Sequence, residues 1–133
     1  MKPKRIWANL AVTDLTRTAK FYTALGFKRN GTHGSGELVS FSFGEAGFVI
    51  NFFLKDVLKA NLEIELADPH RAAEVVFTLS ANGSETVDKW ALEVEKAGGR
   101  LISRPSAFGE GYYGFLFADP DGHRFNVFHM DGL

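Results

Sequence analysis

One arrangement of segments occurs twice along this chain, and the repeat limits the folds open to it more than any other feature. In the first copy, Arg5–Val12 (RIWANLAV) is a short apolar run of strand type. Thr13-Asp14 offers helix caps, and Leu15, Ala19, Tyr22 and Leu25 follow at helical spacing. Gly26 then ends the helix, since glycine takes a left-handed C′ position without steric cost. A loop at Gly31–Gly36 precedes two strand-like runs, Leu38–Phe43 and Phe48–Leu54, joined by the hairpin signal Gly44-Glu45-Ala46-Gly47. The second copy lies roughly 70 residues further on. Glu74–Ser80 (EVVFTLS) reads as its strand and Ser84 as the helix N-cap. Val87, Trp90, Ala91, Val94 and Ala97 make a helical stripe that Gly98-Gly99 stops. Leu101-Ile102, Tyr112–Phe117 and Arg124–Met130 supply strands, the last two joined across Asp119-Pro120-Asp121-Gly122.

A single copy would leave one apolar sheet face bare, so the two are expected to share a core as one domain over residues 1–133. The units span about 5–54 and about 74–130, with a connector at 55–73. That connector, with Lys55, Asp56, Lys59, Glu63, Glu65, Asp68 and Pro69, has little strand pattern and is long for a compact domain. It either forms a short helix or lies over a partner.

Composition removes several function classes. With 15 basic against 16 acidic side chains, the chain lacks the basic field that phosphate backbones require, so no nucleic-acid partner is expected. Zero cysteines exclude disulfides, zinc–thiolate sites, iron–sulfur clusters and thiol nucleophiles, and fit a reducing, cytoplasmic compartment. No signal-peptide pattern follows the basic Met1–Arg5 start. No apolar run reaches the roughly 20 residues of a membrane span, so no membrane partner is expected either. There are 13 phenylalanines, clustered around Phe41–Phe53 and Phe115–Phe128, which read as β core with some lining a cavity. No G-x-S-x-G elbow and no dinucleotide fingerprint occur, and GTHGSG at Gly31–Gly36 lacks the ending of a phosphate cradle.

Three stretches in combination, Ala8–Phe27 (ANLAVTDLTRTAKFYTALGF), Val87–Gly99 (VDKWALEVEKAGG) and Phe117–Phe128 (FADPDGHRFNVF), resemble the vicinal oxygen chelate superfamily. That superfamily includes glyoxalase I, extradiol dioxygenases, fosfomycin-modifying enzymes and bleomycin-binding proteins. NLAV, TLS and DPDGH are similar to its bacterial subgroup labelled predicted lactoylglutathione lyase. The resemblance implies an α+β fold: two βαβββ units forming a cupped, eight-stranded mixed sheet with helices outside.

It also implies four metal-ligand positions, normally histidine or glutamate, which fall here on Trp7, Asn51, Val76 and Asn126. Valine has no donor atom, indole offers only an N–H, and two neutral amides do not replace imidazole and carboxylate ligands. His33, His70, His123 and His129 show no ligand spacing and read as scattered surface residues. The expectation is therefore no metal and no cofactor.

Strand alternation from Trp7 puts Asn9 on its face. With Asn51, Phe53, Val76, Thr78, Asn126 and Phe128 it describes an aromatic cup carrying three amides and one hydroxyl. Two readings stand: the cup holds an apolar or aromatic ligand, or its own side chains fill it. Arg104–Gly114 (RPSAFGEGYYG) is read as a loop with Glu110 as a candidate acid or base. Tyr112, Tyr113 and Phe115 join the ligand-binding set, and the loop is either a lid or an ordinary exposed turn.

The expected function is a metal-free small-molecule-binding protein for a small apolar or aromatic molecule, as in the bleomycin-binding relatives. The alternatives are a glyoxalase-like lyase or isomerase using Glu110 and tyrosines, and a dimeric scaffold without ligand. A homodimer is expected because Arg5–Val12 and Glu74–Ser80 leave sheet edges to be covered.

Overall fold

The computed structural model describes residues 1–32 and 34–132. It divides into two compact units, Met1–Leu66 and Ala67–Leu133. The expected connector is split between them: its first part belongs to the first unit as a helix, and residues 67–73 belong to the second.

The first unit runs β1 (Trp7–Val12), α1 (Leu15–Ala24), β2 (Lys28–Arg29), β3 (Leu38–Phe43), β4 (Phe48–Leu54) and α2 (Lys55–Leu62). Its four strands form one mixed sheet in the order β1-β4-β3-β2, with β1 parallel to β4 and the other pairs antiparallel. Asp14 caps α1 by accepting the Arg17 N–H at 3.0 Å, which satisfies one of the helix's orphan donors. Gly26, at φ 87°, lets the chain reverse while Phe27 N–H reaches back to Tyr22 O. α1 packs on the sheet through Tyr22, which is fully buried. Its ring stands 4.7 Å from Phe52 and 5.7 Å from both Phe41 and Phe43. Each such pair contributes about 0.5–1.5 kcal/mol beyond its buried area, so this cluster holds helix to sheet. α2 follows β4 without a break, buries Leu58, and ends at Glu63, whose φ of 55° is left-handed.

The second unit runs β5 (Val76–Ser80), α3 (Ser84–Ala97), β6 (Arg100–Ala107), β7 (Tyr112–Ala118) and β8 (Arg124–Met130). Its sheet repeats the first: the order is β5-β8-β7-β6, with β5 parallel to β8. The α+β class and the eight strands are those expected, four in each of two mixed sheets. The core gathers Phe115, Phe117, Phe125 and Val127 with Val87, Ala91 and Val94 of α3, and Phe117 stacks on Phe125 at 5.2 Å and 8°.

Two local expectations change. Gly83 occupies the N-cap of α3 and Ser84 is its first helical residue, with no side-chain cap bond. Arg104–Ala107 is strand, so the loop before β7 shrinks to residues 108–111. Pro105 disguises that strand: it lacks an N–H, but β6 is an edge strand with its register broken between Ser103 and Ser106. There the Leu116 N–H is met instead by the Ser103 hydroxyl at 3.0 Å. β2 is too short to leave a pattern in the sequence.

The turn before β8 is built around Asp119, buried, whose Oδ1 accepts the N–H groups of Asp121 and His123 at 3.0 and 2.8 Å. Residues 69–70 press against it so closely that a Cβ on Gly122 would lie 2.8 Å from the His70 nitrogen.

Candidate functional site

In each unit one sheet face carries the helix, and strand alternation sends the candidate residues to one face or the other. In the first unit, Asn9 pairs with Asn51 and Asn51 with Ser40, so all three stand in one row on the face away from Tyr22. Asn51 Nδ2 donates to Asn9 Oδ1 at 3.1 Å, and Asn30 Nδ2 donates to Ser40 Oγ at the same distance. Trp7 and Phe53 lie on this face at either side of the amide row, opposite Val49 and Ala11 respectively. Trp7 is 54% exposed, so its indole is a surface group rather than core filler.

In the second unit, Thr78 pairs with Asn126 and Asn126 with Leu116, the counterpart of the amide row. Val76 and Arg124 flank it on one side, and Ser80, Phe128, Gly114, Met130 and Tyr112 on the other. Aromatic rings run on from there: Phe128 lies 6.2 Å from Tyr112, and Tyr112 stacks on Phe108 at 5.8 Å and 23°. Phe108 and Tyr112 are exposed and Phe128 is half-buried.

Two expected members belong elsewhere. Tyr113 and Phe115 alternate with Tyr112 and Gly114, so they leave β7 on the helix face. Phe115 is core, 2% exposed. The Tyr113 hydroxyl donates to Asp88 of α3 at 2.5 Å, and this bond holds the phenol above its ordinary pKa. Phe108, which no pattern singled out, extends the aromatic row in their place. Glu110 sits in the exposed turn between Gly109 and Gly111, both at positive φ.

The histidines remain apart. His33 lies outside the described residues. His70 abuts Gly122, His123 closes the turn, and His129 meets Ala81 O through Nδ1 at 3.1 Å and Asp131 through Nε2 at 3.4 Å. Among the described residues no three His, Asp or Glu side chains gather as a metal group. A groove of about 590 Å³ runs along α2, lined by Asp56, Lys59, Ala60, Glu63, Ile64 and Glu65 and by none of the expected site residues.

The two units therefore repeat one sheet order, each with a helix on one sheet face and asparagine on the other. The description "Glyoxalase/Bleomycin resistance protein/Dioxygenase superfamily" matches residues 5–127, across both units. The chain belongs to this superfamily. Among solved structures it is similar to a hypothetical protein of S. aureus, with 31% identity and a TM-score of 0.84, covering 97% of this chain and 95% of that one. A glyoxalase-related enzyme from Fulvimarina pelagi shares the fold at 21% identity and TM-score 0.82, with coverage of 96% and 88%. A lactoylglutathione lyase from Agrobacterium tumefaciens does so at 20% and 0.67, with coverage of 97% and 96%. No curated protein matches.

The four metal positions implied by the resemblance fall at matching places in the two units. Trp7 and Val76 head β1 and β5, and Asn51 and Asn126 are equivalent on β4 and β8. Two of the four have no lone pair to offer a cation, and the two asparagines offer only neutral amide oxygens, with no imidazole or carboxylate among the four. These residues do not fit a divalent metal. No helix of the described residues is long and apolar enough to cross a membrane.

Proposed function

We propose that this superfamily member is a metal-free binding protein for a small apolar or aromatic molecule, working as a cytoplasmic homodimer. The carrying observation is the replacement of ligating side chains by Trp7, Val76, Asn51 and Asn126 on faces that also present aromatic rings beside amides. An amide such as Asn126 can orient a bound molecule by one hydrogen bond while the rings supply apolar contact. β1 and β5 are edge strands of their sheets, and covering such edges by a second copy is the physical reason for the dimer.

The enzymatic alternative loses a member, because Tyr113 gives its hydroxyl to Asp88 on the helix side and leaves only Glu110 and Tyr112 for proton transfer. Fluorescence of Trp7 during titration with a panel of small aromatic molecules tests the binding reading, with Trp90→Phe removing the other indole. Saturable quenching is expected, together with no turnover of hemithioacetals or catechols. Turnover that depends on Glu110 would replace the binding reading with the lyase one.

A further inference from the structure

Arg124 is the one cation among the residues placed on the ligand-bearing face of β8, two positions from Asn126 and four from Phe128. Its Nη1 is shut off from solvent and meets no hydrogen-bond acceptor among the described residues. A guanidinium N–H out of water without an acceptor is unfavourable, because its hydration has been lost and nothing has replaced it. The residue as a whole is only half-buried, so its fork stands at the edge of solvent, and an anion brought by a ligand would supply what is missing once the fork turns outward.

We infer that the second unit takes an aromatic carboxylate, with the carboxylate on Arg124 and the ring on the Phe128–Tyr112–Phe108 row. The inference rests on the binding reading above and narrows its ligand class. Three features favour this chemistry. Arginine's planar fork matches the two oxygens of a carboxylate, and Asn126 beside it carries a further amide donor. The strand rise of about 3.3 Å per residue puts roughly 13 Å between the Arg124 and Phe128 backbones. The length of the arginine side chain takes up part of that span, leaving room for an aryl ring and a short carbon chain. Gly114 keeps the platform clear, because a Cβ there would lie 2.8 Å from the Phe128 Cβ. Phe128 and Tyr112, with ring centres 6.2 Å apart and planes at 31°, present a continuous apolar surface to such a ring.

Calorimetric titration of the full chain with phenylpropanoate and with its neutral methyl ester tests this. The acid is expected to bind about tenfold or more tightly than the ester, and Arg124→Gln to remove that preference. Phe128→Leu should weaken acid and ester alike. Arg124→Lys, which keeps the charge but not the fork, should fall between parent and Arg124→Gln. The acid-to-ester ratio on the unmodified protein decides the matter even if the Arg124 variants fold poorly. Equal binding of acid and ester overturns the assignment to Arg124 and leaves the binding reading standing. So does a folded Arg124→Gln that still prefers the acid. If neither probe binds at millimolar concentration, the inference falls and the aromatic-ligand reading falls with it.

Discussion

Gly114 on β7 lies directly across from Phe128 on β8, and a Cβ on it would come within 2.2 Å of the Val127 carbonyl oxygen and 2.8 Å of the Phe128 Cβ. The absence of a side chain at one position therefore lets the aromatic row exist at the next strand. Gly114→Ala forces the β7–β8 pair apart. It should destabilise the protein by about 2 kcal/mol or more, at the upper part of the overpacking range. Urea denaturation measures this. An alanine variant within about 0.5 kcal/mol of the parent would mean that the two strands separate without loss.

Gly122 makes a different demand. Its φ of 97° strains any L-residue, and a Cβ would meet the His70 nitrogen at 2.8 Å and the Pro69 carbonyl carbon at 2.9 Å. A third neighbour, His70 Nδ1 at 2.9 Å, belongs to a side chain that can turn away, but these two are backbone, so no rotamer change relieves the overlap. Gly122→Ala should cost about 3 kcal/mol, combining conformational strain with repacking. Gly98 is the control: its φ is 103°, but nothing lies within 4 Å of a Cβ, so Gly98→Ala should cost only the strain, about 1 kcal/mol. Thermal melts of the two variants side by side separate the contributions. Equal losses would show that the His70 contact yields freely.

The contrast between these glycines also shows where sequence reading reaches its limit. The bounds of β3, β4 and β8 follow from apolar patterning and come out residue for residue, because those strands are buried on one face at least. β6 does not, since Pro105 and a broken register hide a strand whose edge position tolerates both. In the site, Asn9, Asn51, Thr78 and Asn126 are legible as face-sharing residues, as the parallel registers of both sheets require. Tyr113 and Phe115 are not. Their chemistry matches that of Tyr112, and only the phase of β7, set by its pairing with β8, separates core from surface. The Arg124 nitrogen left without an acceptor has no signature in sequence at all.

The phase of β7 leads to a pH prediction. Tyr113 is held above the ordinary phenol pKa of 10.0, first by its hydrogen bond to Asp88, then by partial desolvation and the Asp88 charge. A raised acid pKa means that the folded state binds the proton more tightly than the unfolded one. The contribution is therefore complete below the unfolded value of 10.0 and is lost as pH rises from there through the folded one. The difference between ultraviolet titrations of the parent and of Tyr113→Phe should show the Tyr113 phenol ionising later than a free tyrosine. Asp88→Asn should remove the carboxylate charge and bring that transition down. A difference curve centred at the ordinary value would show that the Asp88 bond does not hold the phenol.

The metal positions allow the strongest negative test. Restoring carboxylates at both last-strand positions, Asn51→Glu with Asn126→Glu, supplies two anionic oxygens but leaves Trp7 and Val76 without lone pairs for a cation. A stable zinc or nickel site needs three or four protein ligands, so the double variant should bind neither ion tightly. Asn51→Glu also removes the amide that donates to Asn9 Oδ1, costing about 1 kcal/mol for one neutral hydrogen bond. Neither the parent nor the double variant should show a rise in melting temperature on adding nickel that a chelator reverses. A parent protein that already shows this rise, or that carries about one metal per chain after dialysis, would overturn the metal-free reading. The ion would then be held by residues other than these four.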